Sequence, residues 1–368
     1  MAPYPRSAMD GYALRSIDSA SAMTVSPVGL PVTTKVFAGD ALTMRLAAGT
    51  AVGITTGAPL PQDADAVIPW EQVRVESGIV FFEAPVPAGN CVFPPADDVR
   101  RGEILLRKGS VLGPGMIALL AFIGRSNLRV YRPPRVHLLC TGNELVDASD
   151  MPGRGQVRNS NAFALMALLS QCGADPRYCG TVDDRSDRLR EALIAAVKSA
   201  DLLITTGGAS QGERDLVKRE LESLGANLKF RRVALRPGKP FAFAQWGDLP
   251  ICVLPGNPSA AFVCFHEFVR PFVLGMVGRE TTELPRVMAT LTGHAKSKHG
   301  LCSIVFATLS TFDGTFRVRP LQNQCSALVR NPAMANSLIV LPEGPAKYEV
   351  GDEVPVQVMD WESVTSPS

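Results

Sequence analysis

Between residues 135 and 280 the chain alternates short apolar runs with amphipathic ones, and that alternation leaves it few folds. "RVHLLCTG", "PRYCGTV", "DLLIT", "KPFAFAQ" and "LPICVLPG" have the length and apolar content of buried strands. "NSNAFALMALLSQCG", "DRSDRLREALIAAVKSA", "GERDLVKRELESLG" and "NPSAAFVCFHEFVRPFVLGMVG" read as helices. The first of these begins at an Asn/Ser pair and stops at Gly173, the residue types that cap helix ends. Strands alternating with helices specify a doubly wound, mainly parallel sheet, an α/β fold. Ligands bind such sheets beyond the carboxyl ends of the strands. Four loops should therefore converge there: CTGNEL (140–145), VDD (182–184), TTGGASQGERD (205–215) and LPGNPSA (254–260).

One of these loops poses a question of its own. In "LLITTGGASQGERDLVK" an apolar run stops at Thr205-Thr206-Gly207-Gly208 and resumes after Gly212 as a charged helical pattern with Asp215 in its first turn. A tight strand-to-helix turn would account for the glycines alone. The functional reading is an oxyanion or nucleotide site, because glycine lets backbone N–H groups reach a ligand and a helix N-terminus favours negative charge. "RPGKP" (236–240) adds two cations on a proline-stiffened loop, which suits phosphate or another tetrahedral oxyanion. Asp215 and the Asp183–Asp184 pair add carboxylates, which beside phosphate imply a divalent cation. The pattern contains neither GxxxxGK[ST] nor GxGxxG, so it is not a P-loop or a dinucleotide fingerprint.

The flanks are different in kind. Residues 13–100 alternate short β-rich runs with Gly/Pro turns, as in a small all-β module. "GSVLGPGMIALLAFIG" (109–124) gives one apolar helix introduced by Pro114. Beyond residue 283 the chain turns β-rich again, with a hairpin signal at Asp313-Gly314, as in a small C-terminal barrel or sandwich. The expected domains are a β-rich module at 13–100, a helical remnant at 1–12 and 101–132, an α/β domain at 133–282, a C-terminal barrel at 283–361 and a disordered tail at 362–368.

Charge narrows the function classes. A net charge of +2 on 37 basic and 35 acidic residues argues against a general nucleic-acid or anionic-membrane binder, while leaving room for a local basic pocket. No stretch reaches the roughly 18 uncharged apolar residues of a membrane span, and MAPYPRSAMDGYA has no secretory apolar core. None of the eight cysteines forms a CxxC pair, and several lie in apolar runs, so they read as buried small hydrophobes in a reducing compartment. The four histidines lack metal spacing and read as satisfied structural residues. The expected location is cytoplasmic.

A family resemblance joins these pieces. "SAMDGYA" (7–13), "TTGAPLPQDADAVIPWE" (55–71), "TGNEL", "VRNSNAFAL", "TTGGASQGERD", "RPGKPFAF" and "LPGNPSAAFVCFHEFV" resemble, in order and spacing, the molybdopterin molybdenumtransferases, the family of the MoeA protein and the gephyrin E domain. The resemblance covers residues 3–358. It implies a doubly wound α/β domain with an inserted-type β-rich lid module and a C-terminal small β-barrel, in a homodimer whose active site lies between protomers. The implied reaction joins adenylylated molybdopterin and molybdate to give molybdenum cofactor and AMP, assisted by Mg²⁺. Carried over residue by residue, Asp10, Thr56 and Asp98 would act on the lid module. Asp215 would lie near the pyrophosphate, and Asp215 and Asp98 would hold the metal. Thr206, Gly207, Gly208 and Ser210 would bind substrate. Arg236 and Lys239, with Ser326 on the barrel, would hold molybdate, and Pro255 and Pro258 would shape the pocket. Further partners implied are an upstream molybdopterin adenylyltransferase or a recipient molybdoenzyme, with neither nucleic acid nor membrane involved.

The chain also departs from the family pattern. It starts almost at "SAMDGYA", without the family's N-terminal helical segment, which predicts a weakened dimer. The arginine-rich stretch before Asp97–Asp98 is "CVFPP" here, "GGVSVG" is "GGASQG", the first cation of "KPGKP" is Arg236, and an Arg-Gly of the C-terminal barrel is replaced within "IVFATLS". Lost arginines leave an alternative open: a non-catalytic paralogue that binds the pterin nucleotide as a carrier or chaperone for a molybdoenzyme.

Overall fold

The computed structural model describes residues 4–41, 44–208, 216–343 and 347–364. It divides into two compact units, Met1–Arg107 with Leu112–Leu128, and Lys108–Val111 with Arg129–Ser368.

The first unit is built on six strands: β1 (Gly11–Leu14), β2 (Val28–Val36), β3 (Ala51–Ile54), β4 (Ala66–Pro69), β5 (Arg74–Glu76) and β6 (Ile79–Phe82). They lie in the order β4-β1-β3-β2-β6-β5. β1 is the tail of "SAMDGYA" and is paired on both sides, by β3 and β4, so the strand runs through the boundary expected at residue 13. Leu14, Val80 and Phe82 are fully buried in this unit's core. Its helix α1 (Pro114–Phe122) has Pro114 in its first turn and buries only Leu120. Met116, Ile117 and Phe122 are exposed.

The second unit opens with the alternating segment. In chain order it runs β7 (Arg135–Thr141), α2 (Ser160–Gln171), β8 (Asp175–Val182), α3 (Ser186–Ala196), β9 (Leu202–Thr206), α4 (Leu216–Ser223), β10 (Asn227–Phe230), β11 (Leu235–Arg236), β12 (Ala242–Trp246), β13 (Leu249–Leu254) and α5 (Pro258–Met276). The sheet order is β8-β7-β9-β13-β12-β10; the first four strands are parallel, and β12 runs antiparallel to both of its neighbours, β13 and β10. Period two sorts its residues onto two faces. Leu138, Cys140 and Ile204 pack with α2 and α5, whereas Leu139, Leu203 and Val253 pack with α3 and α4. At its start α2 is capped by Asn159, whose side chain accepts the Ala162 N–H at 3.1 Å.

α5 is long and apolar enough to cross a membrane by composition, yet more than half of it is buried and it carries Glu267 and Arg270. A π-type turn at Phe265–Val269 interrupts it. Here the expectation of satisfied histidines is only partly met. The Nδ1 of His137 lies 2.6 Å from the Ala196 carbonyl, but buried His266 has no partner for either ring nitrogen among the described residues. Cysteines divide similarly. Burial pushes the Cys140 thiol up to about 11 and Cys252 up to about 12, which makes both inert hydrophobes, whereas Cys325 is exposed.

The remainder is a barrel of β14 (Arg286–Leu291), β16 (Cys302–Phe312), β17 (Thr315–Pro320), β18 (Ser337–Leu341) and β20 (Glu353–Val358), closed by the β16–β18 pairing. The short helix α6 (Arg330–Met334) and a two-strand ladder of β15 (Ala295–Lys296) with β19 (Lys347–Tyr348) complete it. β16 and β17 meet at Asp313-Gly314, both with positive φ, as a two-residue type I′ hairpin requires.

Candidate functional site

Cys140, Thr206 and Leu254 lie in one row across β7, β9 and β13. The residues that follow them form the sheet's carboxyl edge. Glycine is required there because the loops touch backbone to backbone. Gly207 has φ +96°, and a Cβ on it would lie 1.9 Å from the Thr141 carbonyl oxygen. That steric fact answers the question raised by the TTGG sequence: the glycines are structural first. The Asn161 side chain, in the first turn of α2, donates to the Thr206 hydroxyl at 3.1 Å and to the Gly256 carbonyl at 2.8 Å. Thr206 in turn donates to the Pro255 carbonyl at 3.0 Å. One amide thus joins the end of β9 to the loop after β13, with the Thr206 hydroxyl committed as donor and acceptor.

Two adjoining cavities open on this edge and share Pro240, Pro255 and Asn257 in their walls. One, of about 720 Å³, is lined by Thr206, Gly207, Gly208, Pro255 and Pro258. Glu144 and Asp184 also reach it, as does Thr141, whose buried hydroxyl has no partner among the described residues. The TGNEL and VDD loops could be placed at this edge from the sequence, but no pattern singled out Thr141, Glu144 or Asn161. Ser210 and Asp215 lie outside the described residues.

The other cavity, of about 790 Å³, lies between the RPGKP loop and the barrel and contains Arg236, Lys239, Pro255 and Ser326 in its wall. The loop is fixed at three points. β11 pairs with β16 so that Leu235 faces Cys302 and Arg236 faces Ser303. The Val233 N–H donates to the Lys239 carbonyl at 3.1 Å, and Phe241 N–H to the Gly238 carbonyl at 2.9 Å. Gly238 has φ +127°, and a Cβ there would sit 2.8 Å from the Cys264 sulfur. Ser326 docks on the start of α5: its hydroxyl accepts from the Asn257 amide at 3.0 Å, and its carbonyl accepts the Ser259 N–H at 3.0 Å. Lys296 and Lys298 of the barrel complete the basic lining. Among the described lining residues there is no Asp or Glu.

The first unit assembles its own polar constellation. Asp10 Oδ1 accepts the Thr56 N–H at 2.6 Å and the Thr56 hydroxyl at 2.9 Å. These bonds hold the Asp10 carboxyl below its ordinary range, the backbone N–H contributing most. Asp98 is exposed. Its neighbour Asp97 takes the local cation, Arg6, at 3.3 Å. No group of three or more Asp, Glu, His or Cys suited to a metal occurs among the described residues.

Known proteins give the arrangement a family. Three family profiles match in succession: "MoeA N-terminal region (domain I and II)" over residues 1–124, "Probable molybdopterin binding domain" over 137–275 and "MoeA C-terminal region (domain IV)" over 288–359. A molybdopterin molybdenumtransferase of Bacillus subtilis is 35% identical over 98% of this chain and 85% of its own length. One from Haemophilus influenzae is 34% identical over 96% of this chain and 87% of its own. The crystal structure of a molybdopterin biosynthesis MoeA protein from Pyrococcus horikoshii superposes with a TM-score of 0.84 at 30% identity, covering 97% of this chain and 88% of that one. The chain belongs to the molybdopterin molybdenumtransferase family.

Proposed function

We propose that this member of the family transfers molybdenum: adenylylated molybdopterin and molybdate are converted to molybdenum cofactor and AMP. The observation that carries the reading is the pair of adjoining cavities, one glycine-lined at the strand ends and one basic, sharing a proline-rich wall. The glycine-lined cavity suits the pterin nucleotide, with backbone N–H groups and the Thr141 hydroxyl as donors. The basic cavity suits a tetrahedral dianion. Molybdate must approach a dithiolene beside a phosphoanhydride, and Arg236 and Lys239 lower the repulsion between those negative groups. The relatives' shared name favours this transferase over the carrier reading.

Mg²⁺ enters the proposal as a cation held largely by substrate phosphates with one or two carboxylates, since the described residues assemble no all-protein site. Asp215 and Asp98 are its candidate ligands. A homodimer is supported by α1, an apolar helix that leaves Met116, Ile117 and Phe122 exposed. A cytoplasmic setting completes the proposal.

The test is AMP release from adenylylated molybdopterin with and without molybdate. Molybdate-dependent release is expected, and Asp215→Asn should sharply lower its response to added Mg²⁺. Release that ignores molybdate, or nucleotide binding with no release, would establish the carrier instead.

A further inference from the structure

Arg236 and Lys239 are not the only cations facing the basic cavity. We infer that Lys296 and Lys298 of the C-terminal barrel bind the same oxyanion and set the site's preference for a dianion over a monoanion, an inference that rests on the function proposed above.

The first support is period two. In "HAKSK", Ala295 and Ser297 are buried, 3% and 7% exposed, while His294, Lys296 and Lys298 are exposed and line the cavity. Ala295 packs in the barrel core and also reaches the cavity wall, while the long polar side chains of His294, Lys296 and Lys298 supply the polar lining. The second is the way Lys298 is held. Its N–H donates to the Ser303 hydroxyl at 3.1 Å, its carbonyl accepts the Leu301 N–H at 3.1 Å, and Ser303 is the register partner of Arg236. One hydrogen bond thus links Lys298 to the strand pair that carries Arg236.

The third support is a local conflict. In the β15–β19 ladder Lys296 lies directly opposite Lys347, a like-charge pair that opposes strand pairing. His294 is offset by Glu349 at 2.7 Å, but Arg236, Lys239, Lys296 and Lys298 form no ion pair among the described residues. With no ion pair and no lining carboxylate among the described residues, these four cations in one concave wall repel one another until an anion arrives. Breaking a local rule in this way is a mark of a ligand site. A concave basic wall also concentrates field lines, so a doubly charged anion gains more than a singly charged one of the same shape.

The experiment is isothermal titration of the whole chain with sodium molybdate, and with sodium perchlorate as the tetrahedral monoanion, at constant ionic strength. Thermal melting of each variant confirms folding, which substitution of these exposed lysines should preserve. Lys296→Ala and Lys298→Ala should each raise the molybdate Kd roughly 5- to 30-fold, the Arg replacements should recover most of that loss, and perchlorate should change less. Lys347→Ala should stay within about two-fold of wild type, since Lys347 opposes Lys296 without lining the cavity. If Lys239→Ala weakens molybdate while Lys296→Ala and Lys298→Ala match wild type, this inference falls and the proposed function stands. If the wild type binds no molybdate, both fall.

Discussion

Replacing His266 by Phe should remove an acid sensitivity from the α/β domain. His266 sits in the π-type turn of α5, with ring centroids 4.7 Å from Phe262 and 5.7 Å from Phe265. Burial first, and the nearby Arg270 second, push its pKa down from 6.5 to about 3. The folded protein therefore holds a neutral imidazole, whereas the unfolded chain takes up a proton below pH 6.5. The stability this neutrality preserves is complete above pH 6.5 and declines as pH falls toward 3, at up to about 1.4 kcal/mol per pH unit. At pH 5 the loss is about 2 kcal/mol. For a folding unit of this size that lowers the melting temperature by roughly 4–8 °C. Differential scanning calorimetry of wild type and His266→Phe at pH 7.5, 6 and 5 measures it. At pH 7.5 the two should agree within about 1 kcal/mol, because the phenyl ring removes two unpartnered buried nitrogens while adding volume. Toward pH 5 the wild type should fall away and the variant should fall less. Parallel declines would show that His266 is hydrated or partnered, and the reasoning would fail.

Two further outcomes follow from the fold. Gly207→Ala should destabilise the second unit by on the order of 2–4 kcal/mol, from a positive φ and a clash with the Thr141 carbonyl, and should abolish AMP release. Denaturant unfolding of the variant checks it, and wild-type stability would refute the backbone contact. Ile117→Glu on α1 should leave the fold intact and shift a dimer toward monomer in light scattering across a dilution series, because it puts a charge on the exposed apolar face.

The alternating runs from Arg135 onward determine the doubly wound sheet by themselves, because buried strands and amphipathic helices differ in period. The same local chemistry placed the Asn159 cap, the Asp313-Gly314 hairpin and the four loops at the carboxyl edge. It also required glycine after β9, although the reason, a carbonyl of β7 lying where a Cβ would be, comes from a strand more than sixty residues earlier.

Tertiary structure decided what those loops touch. Asp10 meets Thr56 only because β1 is inserted between β3 and β4, and the sequence shows two unrelated turns. No sequence pattern singles out Lys296 and Lys298; β11 pairs with β16 and brings the barrel to the RPGKP loop. His266 reads from the sequence as a satisfied structural histidine, but packing against Phe262 and Phe265 leaves its ring nitrogens without a partner among the described residues. Period and capping depend on neighbours within about a dozen residues, so a sequence displays them. Cavity walls and lost hydrogen bonds depend on segments far apart in the chain, and those acquire a meaning only once the strands have paired.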